Sequence, residues 1–407
     1  MPAAPPPATG TSTAGRITAL CLATAAFAVN FWAWALLSPL GPVYQRSLGL
    51  SATAVSVLVA VPVIVGSLGR IVLGALTDRF GGRLVFGAAS LIGVLPVVFL
   101  AFVESYPLLL AGGLVLGVTG ATFAIGVPFV NAWFPPERRG LALGVFGMGN
   151  IGTAISGFAT PWLAGEFGRR APFYAVAVAL AITGVVFLLV GRDAPGTGPS
   201  GQSFWKRFTD AARMRVTIEL ACFYALTFGG FVAFGVYLPL YLQSVYELTV
   251  ADAAARAAGF VVLATLARPV GGWLSDRAGG EVVLSYVLAV VFACAILVSF
   301  TPAMPLATVG FLSLAAALGL GNGAVFAVMG ASVPVAKVGS ATGVVGAAGG
   351  LGGFLPPIVM GLIFEATGSY AIGLMLLAAM AFGAFVYAWF ILRPRAQFLH
   401  KQSPQKL

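Results

Sequence analysis

The sequence predicts an all-α polytopic membrane protein with twelve transmembrane helices in two pseudo-symmetric six-helix bundles. Three observations predict it. Of 407 residues, 59% are hydrophobic and only 8% are Asp, Glu, Lys or Arg, against roughly 25% charged in an ordinary soluble domain. Apolar runs recur twelve times along the chain, each near the 20 residues or so that cross about 30 Å of hydrocarbon. Motifs of the first half also return in the second at an offset of 198 residues.

Taken in order, residues 1–16 are Pro-, Ala-, Thr- and Gly-rich and uncharged until Arg16, which reads as a disordered cytoplasmic tail. The apolar run that follows is too long for a signal-peptide core, so it is expected to be a retained helix. Spans are predicted near 17–40, 52–76, 84–103, 107–134, 140–164 and 171–191, forming an N-terminal bundle over 17–191. Residues 192–215 are rich in Gly, Pro, Ser and charge, as a linker should be. Their WKRFTDAARMR portion suits a short amphipathic helix on the membrane surface. Spans resume near 216–242, 254–275, 283–301, 305–333, 340–365 and 370–392, a C-terminal bundle over 216–392, and 393–407 form a second cytoplasmic tail.

Charge sets the orientation. The 22 basic and 12 acidic residues leave a net charge of +10, which on a soluble protein would suggest nucleic acid. Here sixteen of the basic residues fall in the tails, the linker and the loops of one side, and four, Arg46, Arg169, Arg170 and Arg256, on the other. Cytoplasmic loops carry such an excess, so both termini and the linker are expected in the cytoplasm of a multi-pass inner-membrane protein. No nucleic-acid partner is implied.

Enzymatic readings lose most of their chemistry. The one histidine, His400, lies in the C-terminal tail, and Cys21, Cys222 and Cys294 sit in three different apolar runs. No metal-ligand spacing or disulfide framework results, the cysteines read as small core residues, and no cofactor is expected.

The two remaining basic residues are Arg70 and Arg268, both inside apolar runs. RIVLGALTDRFGG from Arg70 matches RPVGGWLSDRAGG from Arg268 at eight positions. GATFA at 120–124 and GAVFA at 323–327 form a further pair, as do ALGVFG at 142–147 and ATGVVG at 341–346. Parallel repeats of this kind place a site at their interface. Eight residues separate each arginine from the aspartate of its loop, Asp78 or Asp276, which at about 1.5 Å per residue is roughly 12 Å, near the middle of the hydrocarbon. A guanidinium there costs at least about 2.5 kcal/mol, and the sequence offers no carboxylate at matching depth. Either backbone carbonyls hold the two side chains or they bind an anion. Their planar forks suit a flat oxyanion.

Glycine clusters lie in the fifth and eleventh spans, GMGNIGTAISGFATP (147–161) and GAAGGLGGFLPP (346–357). Most of these glycines are expected to pack helices, while Asn150, Gly349 and Gly350 are candidates to face a ligand. Neither cluster runs into Gly-Lys-Ser/Thr, so a nucleotide phosphate loop is not implied. Tyr224 and Phe228 are four apart and share a helical face. Asp78, Arg79, Asp276 and Arg277 are interfacial, and suit ion pairs and helix-end contacts that hold one access state.

On these residues the chain resembles the major facilitator superfamily, through GALTDRFGGR (74–83), the twelve spans and the two-fold repeat. More narrowly, Arg70, Arg268, GMGNIG and GAAGGLGGFLPP resemble the NarK-type nitrate/nitrite porters. The resemblance implies that the arginines grip nitrate or nitrite, that aromatic rings sandwich it, and that a tyrosine and an asparagine touch it. It maps these roles to Arg70, Arg268, Phe123, Tyr224, Phe228 and Asn150, and to a first-span aromatic that is either Phe31 or Trp32. The second glycine signature has no polar side chain before its prolines, so only backbone or shape contributes from it.

The expected function is secondary active transport by a monomer, with alternating access and nitrate/nitrite antiport. Proton-coupled symport, with Glu219 or a protonated tyrosine network as carrier, is the alternative, and formate, oxalate or cyanate are alternative anions. A non-transporting anion sensor is a reading from another class, which only a flux assay separates from a carrier.

Overall fold

The computed structural model describes residues 12–195, 204–367 and 369–395. The first eleven residues, the middle of the linker, His400 and the rest of the C-terminal tail lie outside the described residues. The described chain is almost wholly helical. Among the described residues, eleven helices are long and apolar enough to cross a membrane, and the thirty-residue helix Val338–Thr367 stands at the remaining place in the order.

The first span is Thr13–Trp34, started by Ser12, whose Oγ accepts the Gly15 N–H at 3.1 Å, a side-chain cap that satisfies one orphan donor. It ends earlier than its apolar run. Serine, proline and glycine at 38–42 break it, and a separate short helix, Gly41–Leu48, follows. The second and third spans, Ala52–Phe80 and Gly82–Phe102, meet at Gly81, whose φ of +85° suits glycine. The eighth and ninth, Val250–Ala278 and Gly280–Ser299, meet in the same way at Gly279, φ +89°. The loop glycines of the repeat therefore form the same tight turn twice.

The fourth span is two helices, Tyr106–Gly120 and Phe123–Trp133. The fifth is also interrupted, with Arg139–Gly147 and Ile151–Phe167 separated by a 3₁₀ turn at Met148–Asn150. The sixth is Ala171–Val190, the seventh Arg215–Tyr246, the tenth Met304–Ser332 and the eleventh Val338–Thr367. The twelfth, Ala371–Tyr387, runs on into a π-helical turn at 388–392. Residues Phe204–Ala212 form the short linker helix.

The described residues pack as two compact units. Of the described residues, one holds 12–135, 155–195, 204–213 and 333–344; the other holds 136–154, 214–332, 345–367 and 369–395. In the first, the third span packs on the sixth and the second on the fourth. In the second, the eighth and tenth spans pack on each other and on Arg139–Gly147. Outer faces are apolar and open, with Leu189 76% and Leu95 71% exposed, as expected where the solvent is lipid. Cys294 is buried, but Cys21 and Cys222 are exposed. This corrects the reading of all three as core residues, because in a lipid-facing helix apolar neighbours in sequence do not imply burial.

Candidate functional site

In the first unit, Arg70 is 1% exposed. Its Nε donates to the Gly120 carbonyl at 3.4 Å, and its Cζ stands 5.6 Å from the Phe123 ring centre. The break in the fourth span explains the first contact. At 121, 122 and 124 the amides turn to carbonyls three residues back, so that Ala124 N–H bonds Ala121 and not Gly120. The Gly120 carbonyl is released from that position and faces a buried donor instead, which is how non-helical backbone is tolerated at membrane depth.

Phe123 packs on Phe27 (5.3 Å between centres), Phe27 on Phe31 (4.3 Å) and Phe31 on Trp34 (4.8 Å). Phe31 therefore belongs to the aromatic column beneath Arg70, one ring removed from Phe123. Trp32 points elsewhere, its Nε1 donating to Thr160 Oγ1 at 3.1 Å.

The second unit builds its arginine from the same parts. Arg268 is 2% exposed, and its Nη1 donates to the Gly147 carbonyl at 3.1 Å. Asn150 Nδ2 donates to that carbonyl too, at 2.8 Å. The 3₁₀ turn again releases the acceptor, since Ile151 N–H turns to Gly149 and Met148. Arg268 Nη2 donates to the Tyr224 hydroxyl at 3.2 Å, and its Cζ lies 5.6 Å from the Phe228 ring centre. The Tyr224 and Phe228 rings stack at 4.8 Å and 10°, and Phe326 meets Tyr224 edge-on at 4.9 Å. Among the described residues, two of the five Arg268 N–H groups are thus engaged.

Glycine is required around this arginine for space. A methyl on Gly349 would overlap the Tyr224 ring and lie 3.2 Å from Phe228. One on Gly147 would sit 3.2 Å from Arg268 Nε. Gly350 is buried one residue further along.

Sequence reasoning missed Phe27. The signal was present: Phe27 and Phe31 are four apart, as are Tyr224 and Phe228, and the two pairs share an offset of 197. Phe27 thus corresponds to Tyr224 and Phe123 to Phe326, and in both units these rings touch. One difference breaks the symmetry. Only the second unit has a hydroxyl on that ring, and it lies on the arginine.

At the loop motifs, both aspartates bind a helix start. Asp78 accepts from Gly339 N (2.9 Å), Ser340 N (2.8 Å) and Ser340 Oγ (2.7 Å). Asp276 accepts from Gly140 N (2.7 Å) and Leu141 N (2.8 Å). Orphan N–H groups and the positive end of the helix dipole favour a carboxylate there. Arg79 and Arg277 stand over aromatic faces, 4.9 Å from the centre of Phe80 and 4.0 Å from that of Trp273.

Glu219 lies at the beginning of the seventh span. It is gripped by Arg395 through both oxygens (2.8 and 2.6 Å), by Arg215 Nε (2.8 Å) and by the Tyr387 hydroxyl (2.6 Å).

The profile of the Major Facilitator Superfamily matches residues 23–355. The chain belongs to the major facilitator superfamily. Within it, the chain is 48% identical over 378 residues to a Mycobacterium tuberculosis protein named "Probable nitrate/nitrite transporter NarK2", covering 92% of this chain and 96% of that one. It is 38% identical to the "Nitrite extrusion protein" of Bacillus subtilis, over 95% and 98% of the two chains. The resemblance to NarK-type porters thus holds over nearly the full length. Among solved superfamily structures, the E. coli fucose:proton symporter FucP superposes with a TM-score of 0.74 at 17% identity, over 92% of this chain and 99% of that one. The proton:xylose symporter XylE gives 0.75 at 14%, over 93% and 96%. At such identities these two speak for the fold alone. The fold agrees with the twelve-helix expectation, and the chain is a multi-pass membrane transporter, not an enzyme.

Proposed function

We propose that the chain carries nitrate and nitrite across the membrane and exchanges one for the other, with Arg70 and Arg268 as its anion-binding residues. The observation that carries this reading is the pair of nearly fully buried guanidiniums, each beside an aromatic face and fixed by a carbonyl at a helix break. Two relatives of nearly the same length bear nitrate or nitrite in their names. A flat monoanion suits a planar fork and a ring wall better than a bulky dicarboxylate does.

In this reading Phe123, Phe228 and Phe31 wall the anion, Tyr224 and Asn150 orient Arg268, and Gly349 and Gly350 leave room. Bundles over 17–191 and 216–392, joined by the linker and with both termini cytoplasmic, alternate access to the arginine level. Asp78, Arg79, Asp276 and Arg277 hold one access state. The working unit is a monomer. Glu219 has its oxygens occupied by two guanidiniums and a phenol at the end of its span, which favours exchange over a proton route through it.

Binding is tested by the thermal stability of the detergent-solubilised protein in increasing nitrate. Wild type is expected to be stabilised by nitrate and nitrite but not by sulfate. Arg70→Lys and Arg268→Lys are expected to lose that response, since lysine keeps the charge and loses the fork. An equal response in either lysine variant would contradict the assignment.

A further inference from the structure

The second unit contains a slot of about 850 Å³ between the seventh and twelfth spans, floored by the eleventh and distinct in lining from the Arg268 site. The slot exists because small residues face it: Cys222 and Ala233 on the seventh span, Gly383 and Ala384 on the twelfth. A methyl added at Gly383 would meet nothing within 4 Å. Aromatic pairs bridge the two spans at either end. Phe223 lies 6.3 Å from Tyr387 at one, and Tyr237 and Tyr241 lie 5.6 and 5.4 Å from Tyr370 at the other. Between them the walls run from Gly373 to Tyr387, about 21 Å at about 1.5 Å per residue. That exceeds the roughly 15 Å of one leaflet's hydrocarbon.

The two ends differ in chemistry. Among the described lining residues, none at the tyrosine end is charged. The other carries the Glu219 cluster, two guanidiniums against one carboxylate, with the Arg215 side chain 65% exposed and that of Arg395 32% exposed. A π-helical turn at 388–392 contributes. Tyr387 and Arg395 are eight residues apart, about 2.2 turns of a regular α-helix, and the widened turn absorbs the excess so that both reach Glu219.

From this geometry we infer that the slot is a binding site for an anionic phospholipid, with an acyl chain along the groove and the phosphate at Arg215 and Arg395. Empty apolar volume forfeits dispersion contacts, and the fluid beside the spans is hydrocarbon. An amphiphile with one anionic end matches a groove whose surplus positive charge lies at one end only, as in basic pockets between spans that hold lipid headgroups. The seventh span also carries Tyr224 and Phe228, so an occupied slot braces the helix on which the Arg268 contacts depend.

The test is native mass spectrometry of the full chain in mixed micelles holding equal phosphatidylglycerol and phosphatidylcholine. Wild type is expected to retain one phosphatidylglycerol per chain, at least fivefold over phosphatidylcholine. Arg215→Gln is expected to bring that ratio near one while leaving the Glu219–Arg395 pair. Gly383→Phe, which fills the slot, is expected to lose both lipids while eluting as a single folded species. Equal retention of the two lipids by wild type, unchanged retention in Gly383→Phe, or a dimer that excludes lipid would each overturn the assignment. If Gly383→Phe does not fold, an unchanged ratio in Arg215→Gln overturns it alone.

Discussion

The two arginines are held by the same device and finished differently. Each takes a carbonyl released at a helix break and stands beside a ring, and Arg268 in addition has the Tyr224 phenol on its fork. Replacing Tyr224 by Phe keeps the stack with Phe228 and removes the hydroxyl. A hydrogen bond to a charged group is worth about 1.5–3 kcal/mol, so Tyr224→Phe is predicted to weaken nitrate affinity roughly tenfold or more with its melting temperature little changed. Titration of nitrate against intrinsic fluorescence reads this. Phe27→Leu is predicted to weaken binding less, because Phe27 packs on Phe123, the ring that itself stands over Arg70.

The arginines, Tyr224, Phe228 and Phe123 were legible in the sequence because a buried charge and an i, i+4 aromatic pair stand out against an apolar background. Phe27 was not singled out because one more phenylalanine in such a run carries no signal until its repeat partner is aligned. Backbone carbonyls were one expected way to hold the arginines, but which carbonyls was illegible for another reason. Side-chain spacing does not report which backbone acceptors a 3₁₀ turn sets free.

For the elements, the glycine-rich signatures divide by what surrounds each position. Gly147 and Gly157 lie in the same signature, yet a methyl at Gly147 presses on Arg268 while one at Gly157 meets nothing within 4 Å. Gly157→Ala is predicted to be neutral or to stabilise by about 0.4–1 kcal/mol, the helix-propensity gain. Gly147→Ala and Gly349→Ala are predicted to impair transport, Gly349→Ala most, since its methyl would overlap the Tyr224 ring. Parallel uptake and thermal-melt assays check the ranking.

The loop aspartates act as caps for helices far away in sequence. Capping losses run about 0.5–2 kcal/mol, and Asp78 takes three donors where Asp276 takes two. Asp78→Ala is therefore predicted to destabilise more than Asp276→Ala, as read by denaturation. The loop motif was plain in the sequence, but its partners were not, being over 130 residues away. The short helix Gly41–Leu48 was hidden inside an apolar run whose breakers mark an end without marking a new start.

On the scale of the whole molecule, the span count and the repeat were readable from composition and periodicity, because a bilayer restricts a spanning chain to a small set of solutions, while the family was readable only through the resemblance of its motifs. The Glu219 cluster and the lipid slot were not, since both arise from residues on the seventh and twelfth spans with no sequence motif in common. In the proposed cycle, an empty site carries about +2, and enclosing two unneutralised guanidiniums in low dielectric is costly. A bound monoanion offsets part of that repulsion, so loaded carriers switch sides and empty ones do not. Exchange follows from this asymmetry without a titrating group at mid-depth. The most direct test is entry of labelled nitrate into vesicles containing the purified protein and loaded with nitrite, nitrate or neither, at fixed and at imposed pH gradients. The account predicts uptake only where an internal anion is present, insensitive to the pH gradient and abolished by Arg268→Lys. Equal uptake into empty vesicles, driven by a pH gradient, would contradict it.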